Sequence, residues 1–154
     1  MNYRQEYEKW LASPALSEDE RNELKAIAND EKEIENRFYG PLEFGTAGLR
    51  GTMYVGLHNM NRHVIRWATQ GFANVIRAEG EEAMKKGVAI CMDCRNHSME
   101  FARAAACVMA GNGIPVRLFE SLRPTPELSF AVREYGCISP WCLDCLLYTS
   151  DAAD

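Results

Sequence analysis

The segment Phe44-Gly45-Thr46-Ala47-Gly48-Leu49-Arg50-Gly51 places three glycines, one hydroxyl group and one arginine close together in the chain. Glycine tolerates positive φ and carries no Cβ, so the backbone of such a segment can approach a ligand closely. Arg50 adds a permanent charge and a planar set of donors that fits phosphate oxygens. By composition alone, a glycine-rich segment is more often a tight turn with no ligand. The segment is therefore either a turn that binds phosphate or a tight turn with no ligand.

The order of residues in this segment closely resembles the N-terminal signature of the α-D-phosphohexomutases, the superfamily of phosphoglucomutases and phosphomannomutases. Other segments between about Trp10 and Cys137 resemble the first domain of the same family, and they are residues 36–43, 56–62, 66–71, 93–98 and 124–133. The helical region before the glycines is similar to the longer branch, which holds bacterial phosphoglucomutases and phosphopentomutase-like enzymes.

The resemblance implies an α/β fold, a three-layer α/β/α domain with a mostly parallel mixed sheet. Residues 1–40 are expected to form a helical N-terminal lead-in, and residues 41–138 an incomplete first domain. Residues 139–154 are expected to be a non-native or divergent tail, because they show no period typical of a helix or strand and residues 145–154 resemble translated sequencing-adapter read-through. The sheet would then lose the strand expected near Cys137, which predicts poor solubility or molten behaviour.

The family resemblance also implies a chemistry, in which phosphate moves between two positions of one sugar through a bisphosphorylated intermediate and an enzyme phosphoserine. Arg50 would lie close to that phosphoserine and contact the migrating phosphoryl group, and Thr46, Gly48 and Gly51 would shape the substrate-binding loop beside it. Mg²⁺ and a sugar bisphosphate activator are expected for the full-length family, with metal ligands outside this chain. The alternative for Arg50 is a surface arginine that holds a carboxylate of its own loop.

The family's catalytic serine lies in a Thr-Ala-Ser-His-Asn-Pro loop, and no Ser-His-Asn occurs in the sequence. We therefore expect this chain to be the N-terminal portion of a phosphoglucomutase-type enzyme, whose substrate is a phosphosugar. By itself the chain is expected to be inactive. A phosphopentomutase or phosphomannomutase fragment is the nearest alternative. A non-catalytic α/β module that binds a phosphorylated ligand is the alternative from another class.

Composition excludes several other classes of protein. The 154 residues are 47% hydrophobic and 25% charged, which is typical of a globular domain. A net charge of −5 without a dense basic run argues against nucleic-acid binding. No apolar run approaches the roughly 18 residues that a membrane span needs. A cytoplasmic protein is expected, and its oligomeric state is left open.

Helices and strands are predicted from periodicity and capping signals. Ser17 and Glu20 form a capping box that predicts a helix through about Asn36. Further along the chain, helix caps are expected at Asn61, Ser98 and Thr125. Short buried strands are expected at residues 87–92 and 114–119. Strands alternating with helices favour a parallel sheet covered on both faces.

Several polar and aromatic residues remain as weaker candidates. A polar cluster, which consists of Arg95, Asn96, His97 and Ser98, follows a strand where open α/β sheets place ligands, although loop and capping roles explain it equally. Structural or solvated roles are expected for His58 and His63, and hydrogen bonding to the backbone is expected for Asn59 and Asn61 beside the helix cap. Core positions are expected for the aromatic residues Trp67, Phe72 and Phe101, and no chemistry is assigned to residues 123–126.

The six cysteines include two Cys-x-x-Cys pairs, Cys91–Cys94 and Cys142–Cys145. Their separation is far longer than the ~15–20 residues of a ribbon-type zinc site. Cys91 also lies in an apolar run, where a reduced cysteine packs as a small hydrophobic residue. Free thiols and no metal site are the expectation, with zinc binding and a redox pair as the alternatives.

Overall fold

The computed structural model describes residues 2–45, 48–49, 51–92, 94 and 96–142, with the backbone alone at 44–45, 48–49, 125 and 140–142. The chain divides into two compact units, which contain the described residues 2–61 and 62–142 respectively. Each unit has its own elements and is treated by itself.

The first unit is helical, with a small hairpin at its end. Its elements are α1 (Tyr3–Ala12), α2 (Glu18–Ala26), α3 (Glu31–Phe38), β1 (Phe44–Gly45) and β2 (Gly48–Leu49). The core consists of Tyr7, Leu16, Leu24, Ile34, Phe38 and Val55. The ring of Phe38 meets those of Tyr7 and Trp10 edge-on, with centroids 5.7 Å apart in both pairs. The hydroxyl of Tyr7 is buried and donates to the carbonyl of Leu24 at 3.0 Å.

The lead-in contains two helices where one was predicted after Ser17. The capping box is confirmed, since the Ser17 hydroxyl accepts from the amide of Glu20 and the Glu20 carboxylate accepts from the amide of Ser17. The helix nevertheless ends at Ala26, and the side chain of Asp30 accepts from the amide of Glu33 at 3.1 Å to cap α3. An aspartate competes for backbone amides in this way, which favours a new helix start over continuation.

The second unit is an α/β domain, which confirms the expected fold class. Its elements are α4 (Arg62–Ala78), α5 (Glu81–Lys86), β3 (Val88–Cys91), α6 (Ser98–Gly111), β4 (Val116–Leu118), α7 (Thr125–Glu134) and β5 (Ser139–Cys142). The sheet has the order β4-β3-β5, and both pairings are parallel. The short helix α5 has no counterpart in the sequence-based prediction.

Helices cover the sheet of the second unit on both faces. Every side chain of β3 is buried, as expected for a central parallel strand. Ala89 and Cys91 pack in one cluster with Leu128 of α7, which leaves Val88 and Ile90 on the other face because strand side chains alternate. The connection from β3 through α6 leads to β4 on one side of β3, and the connection from β4 through α7 leads to β5 on the other side. Right-handed connections therefore place these two helices on opposite faces.

Two predicted helix caps are displaced by one residue. Ser98 and Thr125 are the first residues of α6 and α7, and His97 and Pro124 occupy the positions before them. His97 has a φ of 63°, which is the left-handed region. A side chain that suits a cap suits the first turn almost as well, so the sequence does not distinguish adjacent positions.

The strand expected to be lost near Cys137 is present as β5, so that expectation was wrong. The amides of Cys137 and Ile138 donate to the carbonyls of Val132 and Gly87, both at 2.9 Å, and lead the chain back to the sheet. Residues 139–142 then pair in parallel with β3, from Val88↔Ser139 to Cys91↔Cys142. Backbone pairing requires no apolar period, which is why Ser-Pro-Trp-Cys gave no strand signal. Because β5 pairs with β3, the unpaired strand that would favour molten behaviour is absent from this edge of β3.

Among the described residues, no helix is both long enough and apolar enough to cross a membrane.

Candidate functional site

The glycine-rich segment forms a two-stranded antiparallel hairpin in the first unit. Phe44 pairs with Leu49, and Gly45 pairs with Gly48. Neither member of the second pair has a Cβ, so the backbone of both strands is open to close approach at that point. Thr46 and Arg50, two of the predicted site residues, lie outside the described residues. Gly48 is in β2, and Gly51 follows the hairpin.

Gly51 marks a close contact between two parts of the chain. A Cβ at this position would lie 3.0 Å from Cδ1 of Leu42 and 3.5 Å from the carbonyl oxygen of His58. Leu42 is buried, and its amide donates to the carbonyl of Leu57 at 3.2 Å. The segments on either side of the hairpin are thus held together, and packing explains Gly51; its place in the substrate loop stays a prediction.

Residues 51–61, which we call the platform loop, are fixed by their own side-chain amides. Nδ2 of Asn59 donates to the hydroxyl of Thr52 at 2.6 Å. Nδ2 of Asn61 donates to the carbonyls of Tyr54 and Gly56 at 3.1 and 2.8 Å, and to that of Asn59 at 3.3 Å. Backbone bonding predicted for Asn61 is therefore confirmed. A loop held in this way has few alternative conformations.

A buried arginine of α3 ties the platform loop to the helices. Arg37 is 6% exposed, and its guanidinium donates to Glu33 at 2.7 Å and to Glu23 at 2.5 Å. Oε1 of Glu23 also accepts from the amide of Val55 at 2.9 Å, and the carbonyl of Val55 lies 3.5 Å from Nη1 of Arg37. The guanidinium stands 4.3 Å from the ring centre of Tyr54. One charged network therefore joins α2, α3 and the platform loop.

The sequence-based reasoning assigned no role to Arg37 or Glu23. The spacing of Glu33 and Arg37 is that of a stabilising helical pair and could have drawn attention to the arginine. Glu23 lies in another helix, so no local spacing indicates it.

Gly56 is required where the platform loop meets α3. A Cβ on Gly56 would lie 2.7 Å from Oδ1 of Asn59, 2.8 Å from Cβ of Arg37 and 2.9 Å from its carbonyl oxygen. Such distances are shorter than carbon contacts allow. Any larger residue would push the platform loop away from Arg37.

His58 has a structural contact, in line with its expected role. Nε2 of His58 is hydrogen-bonded to the hydroxyl of Tyr39, and the two ring centroids are 4.1 Å apart. Its amide donates to the carbonyl of Arg37 at 2.9 Å. Nδ1 of His58 and Oδ1 of Asn59 are buried without a hydrogen-bond partner among the described residues. These two atoms leave hydrogen-bonding capacity unused on the platform loop.

The second predicted cluster lies past the end of β3 in the second unit. Arg95 is outside the described residues. Asn96 is exposed, and Nδ1 of His97 is 3.0 Å from a carboxylate oxygen of Glu100. Ser98 is buried at the start of α6. Of the described members, His97 therefore has a local partner in Glu100, and Ser98 is the first residue of α6.

Two further sequence-based expectations have different outcomes. Phe101 is buried, as expected of a core residue, whereas Trp67 is 59% exposed and the expectation for it was wrong. The buried face of α4 is formed by Val64, Ile65, Thr69, Ala73 and Ile76. Trp67 lies on the other side of the helix, so its size alone was a poor guide to its position.

The cysteines whose side chains the structure describes form no disulfide; they are Cys91, Cys94, Cys107 and Cys137. Cys91 and Cys137 are buried, and Cys94 and Cys107 are exposed. In the part of the chain that the structure describes, no three histidine, cysteine, aspartate or glutamate side chains are placed to hold a metal ion.

Residues 41–141 match the sequence profile of a family described as phosphoglucomutase/phosphomannomutase, alpha/beta/alpha domain I. The chain belongs to this family. The matching region contains the hairpin, the platform loop and all but the last residue of β5. Membership therefore accounts for both candidate regions and for the parallel sheet formed by β3, β4 and β5.

The relatives of this mutase-family chain carry names that refer to pentose, ribose and glucose phosphates. It is 39% identical to a phosphopentomutase from Homo sapiens over 70% of its length and 19% of the relative. Identity to a phosphoglucomutase from Staphylococcus aureus (strain COL) is 37%, over 71% of the chain and 20% of the relative. Identity to a probable phosphoribomutase from Schizosaccharomyces pombe is 35%, over 79% of the chain and 21% of the relative. The chain thus spans about a fifth of the length of these relatives. No solved structure gives a significant match.

Removing the Glu23 carboxylate should loosen the platform loop. In a Glu23→Ala variant, Arg37 keeps one carboxylate partner, and the amide of Val55 loses its acceptor. Loss of one partner of a buried pair costs about 3–5 kcal/mol. Because the side chain of Glu23 is 38% exposed, water replaces part of the lost contact, and we expect a decrease of about 1–3 kcal/mol in the free energy of unfolding. Urea unfolding measures this, and hydrogen exchange at the amide of Val55 should accelerate.

Glu31→Ala is the matched control, since Glu31 joins two helices through an exposed pair with Arg4 at 2.6 Å. It also accepts from the hydroxyl of Tyr3, and this bond raises the pKa of Tyr3 above its ordinary value. Exposed pairs contribute little, so the loss should stay below about 1 kcal/mol. Equal losses in the two variants, with unchanged exchange at Val55, would contradict the importance assigned to the buried network.

Proposed function

We propose that this chain supplies the phosphate-binding loop of a phosphosugar mutase. The observation that carries the proposal is the hairpin with paired glycines, held beside a platform loop that is locked to α2 and α3. Stabilisation of a migrating phosphoryl group needs donors that are already in place before the reaction. Backbone amides near Gly48 and Gly51 and the guanidinium of Arg50 would be those donors.

The proposed role of Arg50 is to stabilise the charge of the phosphoryl group during its transfer. Its family motif supports this assignment, and the planar guanidinium matches two phosphate oxygens at once. Thr46 would add a hydroxyl donor, and the glycines would admit the ligand to the backbone. The reaction would pass phosphate between an enzyme serine and two positions of one sugar, so that no phosphate is lost to water.

These 154 residues alone would not complete the reaction. The Thr-Ala-Ser-His-Asn-Pro loop that carries the family's phosphoserine does not occur in them. Mg²⁺ and a sugar bisphosphate activator belong to the proposal for a full-length mutase. The described residues do not fit a metal site, so the metal ligands would come from elsewhere.

Glucose phosphate is the proposed substrate class, and pentose phosphate is the second candidate. The helical lead-in, formed here by α1 to α3, supports the longer branch, which holds bacterial phosphoglucomutases and phosphopentomutase-like enzymes. The pentose candidate is supported by the relatives named phosphopentomutase, which are as similar to the chain as those named phosphoglucomutase.

The chain by itself should show no mutase turnover. We expect background rates with glucose 1-phosphate and with ribose 1-phosphate, in the presence of Mg²⁺ and the matching bisphosphate, in coupled assays. The physical reason is that the sequence contains no Thr-Ala-Ser-His-Asn-Pro loop, whose serine would donate and recover the phosphate. Turnover above background that disappears in an Arg50→Ala variant would contradict the expectation.

Arg50→Lys should impair catalysis when the chain is part of a complete mutase. Residues 41–137 can replace the matching segment of the Staphylococcus aureus phosphoglucomutase, whose activity gives the readout. Lysine keeps the charge but loses the two-pronged contact. Loss of one preorganised donor costs about 10²–10³ in kcat, and kcat should fall more than KM rises because the contact strengthens during transfer.

Arg103→Lys in the same chimera is the control, because Arg103 is exposed on α6 and has no assigned chemistry. Its kinetic constants should stay close to those of the parent chimera. An Arg50→Lys chimera with unchanged kcat would leave Arg50 as a structural residue of its loop.

A further inference from the structure

The second unit contains an open cavity of about 360 Å³ beside the edge strand β4. It extends to the C-terminal end of α7, and its walls include Arg117, Phe119, Ser121, Arg123 and Tyr135. Volumes of this order are typical of small-molecule sites. The described residues that line it belong to the second unit, whereas the proposed function depends on residues of the first.

The position of Arg117 follows from the strand register. Arg117 is paired with Ala89 of β3, and paired residues of neighbouring strands share a face of the sheet. On that face Ala89 packs with Leu128 of α7. Because β4 is the edge of the described sheet and Ala89 is small, the side chain of Arg117 has room beside α7 and reaches Tyr135.

The guanidinium of Arg117 is oriented without being neutralised. It stands 4.6 Å from the ring centre of Tyr135, a stacking contact that limits its rotation. Within the described part of the chain, no carboxylate lies within ion-pair distance of it. An oriented guanidinium with unused donors at a cavity wall binds anions strongly, because the hydrogen bonds that it donates to phosphate oxygens are charge-assisted.

The other wall residues define the rest of the site. Nε of Arg123 is 3.2 Å from a carboxylate oxygen of Glu127, and this carboxylate largely compensates the positive charge of Arg123. The amide of Arg123 donates to the carbonyl of Met92 at 3.2 Å and fixes this turn to the end of β3. Ser121 offers a hydroxyl, and Glu120 adds a negative charge to the same wall. An anion is therefore favoured at the Arg117 end of the cavity.

We propose that this cavity binds a small organic phosphate. The phosphoryl group would be held by the guanidinium of Arg117, and a sugar-sized organic part would lie towards Phe119 and Ser121. Aromatic and hydroxyl groups of this kind contact the apolar faces and hydroxyl groups of a sugar. Binding at this flank of the sheet involves no chemical step.

The test is a titration of the isotope-labelled full chain with glucose 1-phosphate, followed by NMR. Saturable shifts are expected for the amides of Phe119, Ser121 and Tyr135 and for the side-chain Nε–H of Arg117. Glucose should cause none of them, and inorganic phosphate should shift the Arg117 resonance with weaker affinity. Arg117→Gln should weaken binding at least about tenfold, the loss expected for a hydrogen bond to a charged group.

Arg103→Gln, which changes an exposed arginine of α6, should leave the affinity unchanged. Tyr135→Leu gives an independent check, because Tyr135 is 54% exposed and the change should weaken binding by freeing the guanidinium. Shifts that persist in Arg117→Gln, or that rise linearly without saturation over the whole surface, would overturn the proposal. Equal affinity for inorganic phosphate would overturn the assignment of an organic part.

Discussion

The first unit depends on the hydrogen bonds and ion pairs that the buried guanidinium of Arg37 makes. A charge in the interior is costly unless charged and polar partners surround it. Here two glutamates and a backbone carbonyl supply those partners, and they come from α2, α3 and the platform loop. Because Glu23 also accepts the amide of Val55, the helices and the platform loop cannot separate without leaving several groups unpaired.

This network explains how a glycine-rich hairpin can have a defined position. Two strands of two residues each, with glycines opposite one another, have little side-chain packing of their own. Neighbouring segments must therefore fix the position of these strands. They do so through the contact of Gly51 with Leu42 and the hydrogen bond from Leu42 to Leu57. The next residue, His58, is bonded to the carbonyl of Arg37. A short series of contacts thus connects the buried arginine to the segment proposed to hold phosphate.

The sequence predicted those features that depend on local or family-wide patterns. The capping box at Ser17 and the strand at Val88–Cys91 are local, and the α/β class followed from alternating elements and from the resemblance. The break between α2 and α3 was missed because the apolar period continues across it while Asp30 caps a new helix. Trp67 was misplaced because a large apolar side chain does not determine the direction in which it faces.

Features that depend on contacts distant in sequence could not be predicted. Glu23 and Arg37 meet only because α2 and α3 are folded against the platform loop. Strand β5 has no recognisable pattern, and its pairing with β3 is decided by backbone groups. The cavity beside β4 depends on the register that pairs Arg117 with small Ala89.

We propose that the Arg37–Glu23 network makes the glycine hairpin competent to bind a phosphorylated sugar. The most direct measurement is the change in amide NMR shifts of Gly45, Gly48 and Gly51 when glucose 1-phosphate is added to the full chain. These shifts should saturate in the unchanged protein and in Glu31→Ala, and the affinity should be clearly weaker in Glu23→Ala at a temperature where all three are folded. The same affinity in Glu23→Ala, or no shifts at these glycines in the unchanged protein, would contradict the account.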